Sequence, residues 1–344
     1  MLDQFEDTET AAPAADPPPR RRRLRRVLAV TVAMVLLVVL GTGAAYVAFL
    51  NHTVTTNVKH AALLPTPGTD GADAGEAPTR NPAAKGAQNI LIIGSDARAG
   101  LAGARSDVIV IMHVADDRKT VTLVHFPRDL WVSVPGHGKD KINAAFAYGG
   151  APLLVRTLQG LVGVPIDHVA LVDFEGFKRM TDAVGGVNVY AEESSDSRGY
   201  SFHKGFNQMD GAAALAFVRE RKQLSEGDIS RGRRQQAFIK ALMLKSLSKD
   251  VLTNPVRLAQ FVDAATSNLT VDNGFSVADL RSEAFSMRSL RGRDIAFVTA
   301  PFTGFGTSPG GASIDVVDEA GMKTLGEALQ NDAMKTYQDK THTP

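Results

Sequence analysis

Six charged residues cluster at the ends of three short apolar runs. Asp96, Arg98, Arg105, Asp107, Arg128 and Asp129 flank the runs 90–93, 108–114 and 121–126. Arginine grips phosphate through a planar fork, and aspartate oxygens suit a hard cation. Acid and arginine interleaved in this way fit a phosphate-bearing substrate that needs both a cation and anion clamps. Asp96 and Asp107 are the candidate magnesium ligands, because magnesium binds through one or two carboxylates plus the substrate's own phosphates. The plainer alternative is that both are turn residues accepting local amide hydrogen bonds.

A second cluster holds Arg219, Arg221, Asp228, Arg231, Arg233, Arg234 and Gln235. Arg231, Arg234 and Gln235 share one face of a helix start, and Asp228 stands ahead of it as a cap. A capped helix with a solvated basic face is the structural alternative, though few helix starts need so many arginines. Lys141 and Asn143 lie between the clusters, placed either to reach a phosphate or to cap the next helix.

Elements must carry these residues. The three runs are short and β-branched, which suits buried strands, and strand ends on one rim of an α/β sheet are where ligands bind. Further strands are expected at 131–134, 168–173, 187–190 and 295–298. Helices are expected at 144–148, 152–161, 174–183, 211–219, 231–247, 256–265, 277–288 and 320–329, with a polar loop at 191–209. This alternation predicts an α/β fold with a central mixed β-sheet flanked by helices, in a single domain over 87–338.

Other chemistries fall away. No GxGxxG and no Gly-Lys-Ser/Thr follows Gly94-Ser95-Asp96, so a nucleotide is not supported. Gly306 to Gly310 spells Gly-x-Ser-x-Gly, but in a Gly-rich loop with Pro309 after the serine, unlike a nucleophile elbow. The eight histidines show no metal-ligand spacing, and His125 reads as a packed strand residue beside the site. A net charge of +1 argues against a nucleic-acid partner. The absence of cysteine removes disulfides, thiolate metal sites and a cysteine nucleophile, and suits an exported protein.

The N-terminus points the same way. Residues 1–19 are acidic and Ala/Pro-rich and are expected to be disordered. Arg20 to Arg23, Arg25 and Arg26 then abut 27–50, which carries no charge. At helical rise this run spans roughly 36 Å, enough to cross a bilayer. The arginines would hold 1–26 in the cytoplasm and the rest outside. A cleaved signal peptide is the rival, given the small residues Gly41, Gly43, Ala44 and Ala45; the length of the run favours an uncleaved anchor. Residues 51–86 read as a flexible spacer with local order at 58–64, and 339–344 as a tail.

The motifs taken together resemble the LytR-CpsA-Psr family of membrane-anchored cell-wall glycopolymer ligases. GSDAR, RSD at 105–107, PRD, KINAAFAYGG, DAVGGV, the segment ending in RER and D-x-x-R-x-x-RQ follow the family's order over 88–250. The resemblance implies an extracytoplasmic domain with an apolar pocket for a polyprenyl chain. It implies transfer of a glycopolymer from a polyprenyl-pyrophosphate carrier to peptidoglycan, with magnesium on the pyrophosphate. By position, Asp96 and Asp107 would hold the magnesium. Arg98, Arg105, Arg128, Arg219, Arg221, Arg231, Arg234 and Gln235 would line the pyrophosphate. Asp129 or Asp228 would accept a proton from the attacking hydroxyl. Leu153, Leu154, Leu158, Leu161, Phe238, Leu242 and Leu244 are candidates for the lipid pocket, although most apolar helix faces are plain core. The chain departs from the family with His125-Phe126 in place of Ser-Ile, and with Phe217 in place of Tyr. The C-terminal accessory domain of some relatives is not expected. A pyrophosphate hydrolase and a non-enzymatic envelope regulator are the alternatives, the latter disfavoured by the shortness of the cytoplasmic segment.

Overall fold

The computed structural model describes residues 20–66, 77–95 and 106–341. Asp96, Arg98 and Arg105 therefore lie outside the described residues, as does the side chain of Asp228. The chain forms two compact units, Met1–Asn51 and His52–Pro344. The first contains most of helix α1 (Arg20–Asn57), on which Val30, Met34, Leu37, Leu40 and Val47 stand exposed. Among the described residues no helix is long and apolar enough to cross a membrane; the side chains of 20–29, 35, 36 and 39 are not among them.

The second unit opens with the end of α1 and strand β1 (Lys59–Ala61). An antiparallel meander follows, of β2 (Gln88–Ser95), β3 (Ser106–Val114) and β4 (Val121–His125). The hairpin of β5 (Leu130–Val134) and β6 (Gly138–Lys141) leads into α2 (Ile142–Val162). After β7 (His168–Asp173) and α3 (Phe174–Ala183) come β8 (Val187–Ala191), β9 (Ser195–Ser197), β10 (Tyr200–Phe202) and β11 (Gly205–Met209). Helices α4 (Gly211–Arg219), α5 (Asp228–Ser246), α6 (Lys249–Leu252) and α7 (Pro255–Ser267) precede β12 (Leu269–Asp272) and α8 (Val277–Ser286). Then follow β13 (Ile295–Thr299), β14 (Phe302–Thr307), β15 (Ser313–Val317), α9 (Glu319–Gln330) and α10 (Met334–Thr341).

The main sheet has the order β1-β12-β7-β2-β3-β4-β13. It is mixed, since β7 and β13 run parallel to their neighbours β2 and β4 while the meander is antiparallel. Alternation along β2 and β3 divides their apolar residues between two faces. Leu91, Ile93, Ile109 and Ile111 meet Leu154 and Leu158 of α2 and Leu325 of α9. Val110, Val121 and Leu123 meet Ile239, Met243 and Leu244 of α5. The first core also takes Leu130 and Val132 from the smaller sheet β14-β15-β5-β6. Each such leucine or isoleucine, once buried, contributes roughly 1.5–3 kcal/mol, so α2 and α5 are clamped to opposite faces of one sheet.

The local order expected at 58–64 takes the form of β1, which pairs with β12 at the edge of the main sheet. Other expectations change. The segment read as a polar loop folds as β9, β10 and β11, because Phe202, Asn207 and Met209 turn inward at spacings too short to register as a pattern. The Gly-rich loop at 304–311 is the turn of the β14/β15 hairpin with part of β14; no helix starts at Ser308, so the elbow is absent. The expected break between helices at 144–148 and 152–161 holds: within α2 the helical backbone is interrupted at Gly149 and Gly150, the latter at φ +64, before Pro152 restarts it. The lipid-pocket candidates fall into three separate cores: Leu153, Leu154, Leu158 and Leu161 in one, Phe238 and Leu242 in a second, Leu244 in a third.

Candidate functional site

Register brings the charged strand ends to one rim. Ser95, the last residue of β2, pairs with Ser106 at the start of β3 and with Asp173 at the end of β7. His125, the last residue of β4, pairs with Val110 of β3 and with Thr299 at the end of β13. Following the β3–β4 register past the paired residues sets Arg128 opposite Asp107. Their side chains meet there, Arg128 Nη1 donating to Asp107 Oδ1 at 2.9 Å.

Arg128 also lies 3.6 Å from Asp129 through its Nε, and Lys141 Nζ takes the other Asp129 oxygen at 2.7 Å. Pairing of β5 with β6 puts Lys141 beside Trp131, within reach of Asp129. Lys141 occupies the N-cap position of α2 but makes no side-chain cap. Asn143 is inside the helix and buried, its backbone amide donating to Arg128 O at 3.2 Å. Both residues therefore support the Pro-Arg-Asp turn, and neither caps the helix through its side chain.

The start of α5 faces this rim. Gly227, not Asp228, is the N-cap, at φ +52, and Asp228 is the first helical residue. A glycine can adopt that backbone where aspartate would be strained. Arg231, Arg234 and Gln235 do share a face, and all three are buried. Arg231 and Gln235 line a cleft of about 190 Å³ together with Asp107, His125, Arg128, Gly232, Gln236, Thr299, Phe302 and Asp315. Four expected residues thus converge on one cavity: Asp107, Arg128, Arg231 and Gln235.

The others are placed differently. Arg234 turns away into a smaller neighbouring cleft. Its Nη1 donates to Ser195 Oγ and its Nη2 to Glu193 O, both at 2.9 Å, and its guanidinium stacks 4.4 Å from the Phe217 ring. Burial pulls its pKa below the usual arginine value, against the opposing pull of Glu193 and Glu220. Phe217, which the sequence flags as a departure, is the platform for that guanidinium. Arg219 closes α4, and Arg221 is exposed beyond it; neither lines the main cleft. Arg233 lines both clefts and is paired with Glu192 at 2.7 Å and with Glu226.

His125 is the residue the sequence underrates. It lines the cleft, it is 6% exposed, and its Nδ1 is buried without a hydrogen-bond partner. Burial, reinforced by the charge of Arg231, lowers its pKa to about 4, so the ring is neutral at physiological pH. Gln236, Thr299, Phe302 and Asp315 also reach the cleft. Gln236 Nε2 donates to Thr299 Oγ1 at 2.7 Å, and the Asp315 amide donates to Asp129 O at 2.9 Å. Strand pairing across long sequence separations delivers Thr299, Phe302 and Asp315, whereas Gln236 arrives with the start of α5 next to Gln235.

The arrangement suits an anion. The guanidinium groups of Arg128 and Arg231 converge on a partly enclosed space, where their field is little screened. Asp107 keeps part of its carboxylate open, at 31% side-chain exposure, while one oxygen is held by Arg128. Among the described residues no group of three or more His, Cys, Asp or Glu could hold a metal on its own. A single open carboxylate beside an anion cradle still fits magnesium, which takes one or two carboxylates and completes its shell with substrate phosphate and water.

The chain is similar to known proteins in both sequence and fold. Residues 46–331 match the model of the LytR_cpsA_psr family. A curated relative named as a probable cell wall biosynthesis protein, LcpB of Corynebacterium glutamicum, is 35% identical over 70% of this chain and 61% of its own length. A TagU of Oceanobacillus iheyensis, named as a polyisoprenyl-teichoic acid–peptidoglycan teichoic acid transferase, is 36% identical over 55% of this chain and 59% of its own. The chain thus spans about three-fifths of the length of these curated relatives. The crystal structure of B. subtilis TagV superposes with a TM-score of 0.62 at 26% identity, covering 73% of this chain and 98% of that one.

Proposed function

The chain belongs to the LytR-CpsA-Psr family, and on that premise we propose that it transfers a glycopolymer from a polyprenyl-pyrophosphate carrier to peptidoglycan. A hydroxyl of the peptidoglycan glycan attacks the phosphorus that bears the polymer. The new P–O bond forms as the bridging P–O bond of the pyrophosphate breaks. Polyprenyl phosphate leaves, and the polymer is left in a phosphodiester link. The observation that carries this reading is the convergence of Arg128, Arg231 and Gln235 on one cleft with Asp107. The relative named as a teichoic acid transferase supports the choice of substrates.

Phosphoryl transfer of this kind depends on position and charge rather than on covalent catalysis. Arg128 and Arg231 would hold the pyrophosphate oxygens and stabilise the charge that builds on the leaving phosphate. Lys141 fixes Asp129, and with it the turn that aims Arg128. The proton of the attacking hydroxyl passes to a carboxylate at the rim, for which Asp129 and Asp228 are the candidates by position. Asp107, with Asp96 outside the described residues, would hold magnesium, whose charge when bound neutralises the pyrophosphate.

The uncharged stretch 27–50 would serve as an uncleaved membrane anchor. Its place within the continuous helix α1 and its exposed apolar side chains support this. The arginines ahead of it would keep the N-terminus cytoplasmic and the catalytic unit outside, where lipid-linked polymer and peptidoglycan meet.

The test uses the purified full chain with magnesium and a polyprenyl-pyrophosphate-linked glycopolymer, with and without peptidoglycan fragments. Polyprenyl phosphate release that depends on acceptor, with labelled polymer on the peptidoglycan, is the expected result. Release with no polymer transferred would identify a hydrolase. Retention of bound donor without any release would overturn the enzymatic reading.

A further inference from the structure

The outer face of the β8/β11 hairpin carries side chains that neither the core nor the main cleft uses. In β8, Val187, Val189 and Ala191 turn inward while Asn188 and Tyr190 face out. In β11, Asn207 and Met209 turn inward while Phe206 and Gln208 face out. Register sets Phe206 opposite Tyr190 and Gln208 opposite Asn188. One face therefore presents an aromatic pair beside an amide pair. Tyr190 and Phe206 are 46% and 71% exposed, and their rings meet edge to face with centroids 5.3 Å apart. Adjacent large rings left in water mark a binding surface rather than a packing requirement.

This face runs into the smaller cleft. Tyr190 lines that cleft with Glu192, Glu193, Ser230, Arg233 and Arg234, and Arg233 also lines the main cleft, so the two cavities share a wall. We propose that Tyr190, Phe206 and the smaller cleft form the docking subsite for the acceptor, an uncharged, hydroxyl-rich glycan strand; this rests on the transferase reading above.

The chemistry of the two cavities divides the two substrates between them. A pyrophosphate is drawn to the main cleft by Arg128 and Arg231. The smaller cleft sets the carboxylates of Glu192 and Glu193 against the guanidinium groups of Arg233 and Arg234, so it exerts no comparable net pull on a pyrophosphate, while its carboxylates accept hydrogen bonds from sugar hydroxyls. Both guanidinium groups are engaged within the protein, Arg233 by Glu192 and Glu226 and Arg234 by Ser195 and the Glu193 carbonyl. The C–H face of a pyranose stacks on an aromatic ring, and the amides of Asn188 and Gln208 both donate and accept, as hydroxyl and acetamido groups require. An anionic lipid surface suits the region less well, since the balanced charges of the cleft leave no basic patch. A shared wall sets the acceptor hydroxyl next to the phosphorus it attacks, which is the positioning a two-substrate transfer needs.

The experiment titrates a soluble N-acetylglucosamine oligosaccharide into the full chain in detergent, for the parent, Tyr190→Ala and Phe206→Ala. Both side chains face solvent, so the variants should fold, and their thermal midpoints verify it. The expected result is oligosaccharide binding weakened roughly tenfold in each variant, with affinity for a polyprenyl-pyrophosphate donor analogue as in the parent. No binding by the parent, equal binding by the variants, or an equal loss of donor affinity would each overturn the subsite. So would variants that lose anionic vesicles but keep the oligosaccharide. Should the chain prove unable to transfer glycopolymer, oligosaccharide binding lost in the variants would still uphold the subsite. Should it transfer while the variants bind oligosaccharide normally, the subsite alone would fail.

Discussion

The strand rim of the main cleft and the start of α5, which serves both clefts, hold their cations in different ways. On the strand rim, Arg128 is partly exposed and engages Asp107 and Asp129, partners that an incoming phosphate could replace. At the helix start, Arg234 is buried, hydrogen-bonded to Ser195 and Glu193, and stacked on Phe217. The first arrangement presents a fork held by carboxylates at a partly exposed rim. The second spends much of the fork on the protein and offers chiefly charge at a distance. A count of arginines therefore overstates the number of phosphate clamps. Position relative to the rim decides which ones can clamp.

The sharpest way to break this contrast is Arg128→Ala. Loss of one charge-stabilising donor at a phosphoryl or acyl centre commonly costs about 10²–10³ in rate. Polymer transfer should fall by that factor while the thermal midpoint stays close to the parent's, because Arg128 is not in the core. A variant that keeps its transfer rate would remove the strand rim from the site.

Next in size is a dependence of stability on pH that belongs to His125. Burial, and then Arg231, hold its folded pKa at about 4, below the ordinary 6.5. Above pH 6.5 the ring is neutral whether the chain is folded or not, and contributes no pH dependence. As pH falls from 6.5 toward 4 the unfolded chain takes up the proton and the folded one does not, so stability is lost. The loss approaches about 3 kcal/mol near pH 4. Urea midpoints for the parent and His125→Gln across that range provide the measurement. The variant should lack this part of the slope, and equal slopes would place the histidine outside the buried cleft wall.

The strand rim was largely legible in the sequence, and the helix half only in part. Short β-branched runs ending in Asp and Arg announce strands and their ends, and a meander brings such ends together without remote information. That is why Asp107 and Arg128 fall on one cleft. The i, i+3, i+4 spacing likewise gave the shared face of Arg231, Arg234 and Gln235. It could not show that the face is buried, or that Arg234 is already engaged, because Ser195 and Phe217 come from elements distant in sequence. His125 was undervalued for the same reason. A strand histidine is ordinary until Gly232 of α5 is laid against it. Asp315 and Thr299 reach the cleft only through pairing of late strands with β4 and β5.

A smaller effect tests the helix half directly. Arg234→Ala removes two hydrogen bonds and a guanidinium–aromatic stack from a buried position. It should destabilise the fold by about 2 kcal/mol in urea denaturation. Were Arg234 a ligand-facing group alone, stability would hold and only donor affinity would change.

The smallest effect concerns the contact between the halves. A Cβ added at Gly232 would lie 3.2 Å from Cε1 of His125, closer than an ordinary contact. The imidazole is enclosed and has little room to yield, so crowding opposes the roughly 1 kcal/mol that alanine gains over glycine inside a helix. Gly232→Ala should therefore be neutral or destabilising in the parent. In a His125→Ala background the obstruction is gone, and the same substitution should stabilise by about 1 kcal/mol. A double-mutant cycle measured by urea denaturation reads the difference. A coupling of zero would mean that helix and strand meet loosely here, and that the cleft is not held at a fixed width by this contact.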